Sequence, residues 1–113
     1  MKSKLLAVLL LVCMFALVGT ACADHDGRWV REEAARRQMT LITINQAREI
    51  ASKSFASGNV RIKEIELENE ADDYPNDIHF RPTYQIELVH NGIEYDVDID
   101  AATGEVLKLK RDD

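Results

Sequence analysis

Tyr84-Gln85-Ile86-Glu87-Leu88-Val89-His90-Asn91-Gly92-Ile93-Glu94-Tyr95-Asp96-Val97-Asp98-Ile99-Asp100 alternates apolar and polar side chains on both sides of Asn91-Gly92. Alternation with period two belongs to strands that bury one face. Asn-Gly between two such runs is the strongest short-range hairpin signal, because both central residues of the tight turn take positive φ. A two-residue turn sets Leu88 opposite Tyr95, Ile86 opposite Val97 and Tyr84 opposite Ile99. Every pair is apolar, and all three share a face.

The same face extends downstream. Residues 105–111 read as a further strand, and apolar matching sets Ile99 opposite Leu107 and Val97 opposite Leu109. That alignment needs one residue more than a four-residue loop from Ala101 to Gly104 supplies, and Gly104 can carry the extra residue as a bulge. Upstream, Val60 to Glu68 is a strand whose halves differ in parity, which a bulge near Lys63-Glu64 reconciles. Before it, Thr43-Ile44-Asn45-Gln46 fits a capping box. Ile44, Ala47, Ala51 and Phe55, joined by Ile50 and Ser54, fall on one side of a helix from Ile44 to Ser57. Gly58 stands where a helix C-cap favours positive φ.

Composition narrows the class. The 113 residues carry a net charge of −6, with 20 Asp and Glu against 14 Lys and Arg. One domain fits in this length, which excludes large catalytic folds. An acidic balance argues against nucleic acid as a partner, since phosphate backbones need a basic face. Met1-Lys2-Ser3-Lys4 followed by the uncharged run Leu5 to Val18 reads as a secretory signal peptide over 1–23, shorter than the roughly 20 apolar residues of a membrane span. Two endings compete. Ala21-Cys22-Ala23 is an A-x-A cleavage site, whereas Gly19-Thr20-Ala21-Cys22 resembles a lipobox in which Cys22 is lipidated. Gly19 stands where that motif prefers Leu, which favours plain cleavage. Either route exports the protein, to a periplasmic or extracellular place, with the membrane involved only through an anchor at Cys22. Loss of Lys2 and Lys4 takes the charge from −6 to −8. Residues 24–113 then contain no cysteine, so the exported domain has its core and no disulfide to hold it.

The polar segment 24–40 contains Glu32/Arg36 and Glu33/Arg37 at helical spacing in the favourable order, predicting a short exposed helix from Arg28 to Gln38. Its stripe of Trp29, Val30 and Ala34 is narrow, so the helix reads as an appendage. Residues 41–113 make the domain proper, with a fourteen-residue connection from Asn69 to Pro82. The predicted fold is α+β: one helix packed on a four-stranded antiparallel sheet, preceded by the signal peptide and the short exposed helix.

Helix, strand, Tyr84-Gln85-Ile86-Glu87-Leu88 and then Tyr95-Asp96-Val97-Asp98-Ile99-Asp100-Ala101-Ala102-Thr103-Gly104-Glu105-Val106 resemble a PepSY domain, as does the helix opening Ile44-Asn45-Gln46-Ala47-Arg48-Glu49-Ile50-Ala51. The resemblance covers Leu41 to Arg111. That family occurs in propeptides of thermolysin-type metalloproteases, in a spore-germination regulator and as small exported stand-alone proteins. It implies a noncatalytic exported module, proposed to restrain or regulate peptidases, with no active site to carry over. Family members often join the first two strands by a short turn, so the 69–82 loop is an insertion here. Loops of this length without structure are uncommon and often functional or disordered.

Candidate chemistry is sparse. Glu87, Glu94, Asp96, Asp98 and Asp100 crowd the outward hairpin face, and Glu87 opposes Asp96, a like-charge contact that calls for a cation nearby. Lys110 opposite Asp96 and Lys108 opposite Asp98 can supply it. The alternative is a bound divalent ion, which would make this a cation-responsive periplasmic protein. Asp72, Asp73, Asp77 and His79 are weak metal candidates, since the run lacks the spacing of a calcium loop and no histidine pair has zinc spacing. His25, which could bind copper weakly near a new N-terminus, and His79 read first as surface histidines, and Asp100 and Thr103 as turn residues. No catalytic constellation is visible, and no cofactor is expected. Trp29, Tyr74 and Phe80 are aromatics placed outside the predicted core, candidates either for an interface or for covering the open side of the sheet. The expected partner is a protein, a protease or an envelope sensor, met through an exposed strand edge and the 69–82 loop.

Overall fold

A computed structural model describes residues 27–112. Residues 1–23, expected to be a signal peptide, with Cys22 among them, and His25 lie outside these residues. The chain forms two helices, α1 (Arg28–Arg36) and α2 (Ile44–Lys53), then four strands, β1 (Val60–Asn69), β2 (Pro82–His90), β3 (Ile93–Asp100) and β4 (Val106–Arg111). The strands make one antiparallel sheet in the order β1-β2-β3-β4, an α+β fold. No described helix is long and apolar enough to cross a membrane.

The β2–β3 register follows from the turn. Asn91 and Gly92 take φ of 52° and 81°, the handedness a two-residue hairpin needs, and Leu88 pairs with Tyr95, Ile86 with Val97 and Tyr84 with Ile99. The bulge in β1 falls between Ile62 and Glu64, where the parity of its apolar residues changes.

Between β3 and β4 the expected extra residue is present, but not at Gly104. Val97 pairs with Leu109 as expected, whereas Ile99 pairs with Val106, so the shift lies inside β4 at Leu107. The turn itself closes first: the Gly104 N–H reaches the Asp100 carbonyl at 2.7 Å and the Asp100 N–H reaches the Glu105 carbonyl at 2.8 Å. With its own bonds complete, the turn passes the surplus residue into the strand. Gly104 still needs its φ of +82°.

Leu67, Tyr84, Ile86, Leu88, Val97 and Ile99 are buried in one apolar cluster with Ala47 and Ala51 of α2. Fully burying such a side chain contributes about 1.5–3 kcal/mol. Tyr95 and Leu107 are half-buried, and Leu109, expected beneath the helix, is 41% exposed. The reason is length. α2 has ten residues, shorter than the expected Ile44–Ser57 span, and β4 is an edge strand.

The N-terminus of α2 is the expected capping box, with the Gln46 N–H on Thr43 Oγ1 at 3.1 Å and the Thr43 N–H on Gln46 Oε1 at 2.8 Å. Its end is not at Gly58. At the C-cap, Ser54 Oγ donates to the Ile50 carbonyl at 2.9 Å, beside the Ser54 N–H on the same oxygen at 3.1 Å. Phe55 then leaves the helix to stack on His90, ring centroids 4.3 Å apart, and meets Tyr95 edge-on at 5.0 Å. His90 is thus half-buried, and its Nε2–H donates to the Ser57 carbonyl. Gly58, at φ +98°, lets the chain pass these residues: a Cβ there would lie 2.5 Å from the Asn91 side chain and 2.9 Å from His90 Nε2.

α1 is not an appendage. Val30 and Ala34 are buried in the same cluster as the sheet residues. The helix closes on Gln38 at φ 59°, with the Met39 N–H on the Ala34 carbonyl and the Gln38 N–H on the Ala35 carbonyl. This is a Schellman end with Gln in place of the usual Gly. The segment after it is tied to the sheet, where the Tyr84 hydroxyl donates to the Ile42 carbonyl and the Ile42 N–H to that of Ala101, each at 2.8 Å.

Candidate functional site

The connection between β1 and β2 is folded onto the sheet by its own polar groups. Asn69 Oδ1 accepts from the N–H of Ala71 at 3.2 Å and of Arg81 at 2.8 Å, bridging both ends. Inside, the Asn76 amide bonds both the N–H and the carbonyl of Phe80. Two asparagines therefore replace the backbone ladder that the segment lacks.

Three side chains carry the segment onto the sheet. Phe80 is 2% exposed and belongs to the apolar core, so it is no surface hot spot. The Tyr74 hydroxyl donates to Asp98 Oδ2 at 2.7 Å. Burial, then the Asp98 carboxylate, pushes the Tyr74 phenol upward, so it stays a donor at neutral pH. Arg81 Nε donates to Asp100 Oδ2 at 2.8 Å. The other Asp100 oxygen accepts from Ala102 N–H at 2.8 Å and Thr103 N–H at 3.0 Å, and Thr103 Oγ1 accepts from the Glu105 N–H. The Asp-x-Asp pair at 98 and 100 is thus structural: one carboxylate docks the connection, the other docks it and caps the next turn.

The acidic face of the hairpin finds its cations within the chain. Lys108 Nζ lies 3.6 Å from Asp98 Oδ2, and Lys110 pairs in register with Asp96, both as expected. Lys63, at the β1 bulge, reaches across β2 to Glu94 at 2.6 Å, which lowers the Glu94 carboxyl and raises the Lys63 amine. Glu87 opposes Asp96. An open trough of about 230 Å³ runs over this face, lined by Glu64, Glu66, Glu87, Asp96, Asp98 and Lys108. Asp72, Asp73, Asp77 and His79 are all exposed, and among the described residues no group of three or more acidic or histidine side chains is placed to hold a metal. Among the described residues, Glu70 is the carboxyl whose affinity for a proton changes most: burial, then its bond to Asp73, lifts it to about 7.

Two exposed apolar residues, one on α1 and one in the connection, are linked through Arg37 and buried Phe80. Trp29 is 51% exposed with its ring centroid 6.5 Å from that of buried Phe80, and Ile78 is 48% exposed. Between them the Arg37 guanidinium sits 4.7 Å over the Phe80 ring and donates to the Ile78 carbonyl at 3.3 Å. Glu33 braces it at 2.7 Å, and Arg36, then Arg37, hold the Glu33 carboxyl low. Tyr74, by contrast, anchors rather than contacts. Ile78 and Arg37 carry no sequence signal for this role, because their meeting depends on where the connection folds back.

The described residues thus form a four-stranded sheet domain on which a helix and a loop present Trp29, Arg37 and Ile78 around buried Phe80. A family model described as PepSY, the peptidase propeptide and YPEB domain, matches residues 41–110, and the chain belongs to that family. No curated protein and no solved structure matches the chain.

Proposed function

We propose that the protein is a noncatalytic regulatory module, exported by its N-terminal segment, that docks on a peptidase or a peptidase-linked sensor of the cell envelope. The observation that carries this reading is the patch of Trp29, Arg37 and Ile78 mounted on Phe80, in a chain whose family is linked to peptidase propeptides. Trp and Arg are enriched among residues that dominate binding energy, and both are held before any partner arrives. The acidic strand face, with Lys63, Lys108 and Arg81 against its carboxylates, gives a cation-responsive role less support.

The test is hydrolysis of a fluorogenic peptide by thermolysin-type metallopeptidases with the purified chain added. The wild type should slow at least one of them. A hot-spot residue contributes about 2 kcal/mol, so a Trp29→Ala/Ile78→Ala variant should act at least about thirtyfold more weakly. Equal action by the variant would remove the patch from the account.

A further inference from the structure

β4 lies at the sheet edge, and its backbone bonds show which groups face outward. The Asp112 N–H donates to the Glu94 carbonyl at 2.9 Å. Antiparallel ladders alternate bonded and non-bonded pairs, so Asp96/Lys110 and Asp98/Lys108 are bonded pairs like Glu94/Asp112. The N–H and carbonyl of Leu109 therefore point away from β3, toward the open side of the sheet. Its side chain is 41% exposed on one face, while Lys108 and Lys110 are exposed on the other.

The strand already bonded to β4 shows what such an edge accepts. β3 sets Asp96 and Asp98 opposite Lys110 and Lys108, and Val97 opposite Leu109. The same lysines and leucine flank the outer side. A second copy of β4 does not fit: pairing centred on Leu109 would set Lys108 against the other copy's Lys110, a like-charge contact. The opposite edge is unlike this one, since β1 carries a bulge at Ile62/Glu64 and exposes Glu64, with Glu66 and Glu68 half-buried on the same strand. Bulges and lysines both blunt an edge, but a lysine edge is open to a strand whose acidic side chains lie opposite.

We propose that the outer edge of β4 adds, as a fifth strand, an extended segment of a partner protein in which acidic and apolar residues alternate. Acidic side chains on one face meet Lys108 and Lys110, and an apolar residue between them covers Leu109. The proposal rests on reading the protein as a binding module and names the chemistry of one contact.

A fluorescently labelled peptide of sequence Glu94–Ala101 serves as the probe, titrated with the purified full chain and followed by anisotropy. It should bind, more weakly as salt rises, and at least tenfold more tightly than the same peptide with its aspartates replaced by lysine. Leu109→Pro removes the outward N–H and the leucine side chain but no ladder bond to β3, which an edge strand tolerates, and should weaken binding at least tenfold with the circular dichroism melt retained. Should that variant fail to fold, Lys110→Glu at an exposed position should weaken binding at least threefold. Equal binding of the two peptides, or binding unchanged by these substitutions, overturns the proposal. So does concentration-dependent self-association of the wild type that Leu109→Pro abolishes, because the occupant is then a second copy. Peptidase inhibition that persists without peptide binding removes this edge and leaves the regulatory reading standing.

Discussion

Replacing Asp100 by alanine strikes the residue on which the β3–β4 turn and the connection both depend. Its carboxylate is 8% exposed and accepts from Arg81 Nε and from the N–H groups of Ala102 and Thr103. Removal leaves the Arg81 guanidinium, 22% exposed, without its carboxylate, and strips two backbone donors of their partner. Breaking a buried ion pair costs about 3–5 kcal/mol, and partial exposure of Arg81 places this case at the low end, about 3 kcal/mol. For a domain of this size that lowers the melting temperature by roughly 12–24 °C. The neighbouring control is Asp96→Ala. Asp96 is half-buried opposite both Glu87 and Lys110, so its loss should change stability by less than about 0.5 kcal/mol. Urea unfolding, followed by circular dichroism and by fluorescence of Trp29, the chain's one tryptophan, reads both. A double-mutant cycle with Arg81→Ala should return a coupling of about 1.5–3 kcal/mol. If Asp100→Ala costs no more than Asp96→Ala, or the cycle is additive, the structural role of the Asp98/Asp100 pair is wrong.

Tyr74→Phe keeps the ring and deletes the hydroxyl bonded to Asp98, so denaturation should show a loss of about 1.5 kcal/mol with the sheet intact. Glu70 has a folded pKa raised to about 7 from the ordinary 4.5, so folding favours its protonated form. The stability this gives is complete below about pH 4.5 and is lost as pH rises through 7. Glu70→Gln should therefore match the wild type near pH 4 and exceed it by about 1 kcal/mol at pH 8, after discounting for solvent screening, as melts across pH will show.

Local chemistry made much of the fold readable. Asn91-Gly92 prescribes a turn whose handedness fixes β2 against β3, and Thr43 with Gln46 prescribes where α2 begins. The departures occur where distant contacts overrule local preference. Gly104 permits a bulge, but the turn that Asp100 caps closes on its own bonds and moves the extra residue to Leu107. Gly58 could end a helix, yet Phe55 leaves it earlier because His90 and Tyr95, far along the chain, offer ring contacts. The narrow stripe of α1 reads as marginal until Phe80 arrives beneath Trp29 and Arg37. The patch was half legible for the same reason. Trp29 stands out as an aromatic in a polar segment, whereas Ile78 and Arg37 become neighbours only once Asn69, Asn76, Tyr74 and Arg81 have folded the connection.

Amide hydrogen exchange on the native protein asks whether residues 70–81 hold still. The Arg81, Phe80 and Tyr74 N–H groups, bonded to Asn69 Oδ1, Asn76 Oδ1 and the Glu70 carbonyl, should exchange orders of magnitude more slowly than an unstructured peptide and lose protection together in Asp100→Ala. Exchange of all three at the unstructured rate, beside a protected β2–β3 hairpin, would mean that the segment is not fixed on the sheet, and the braced patch would go with it.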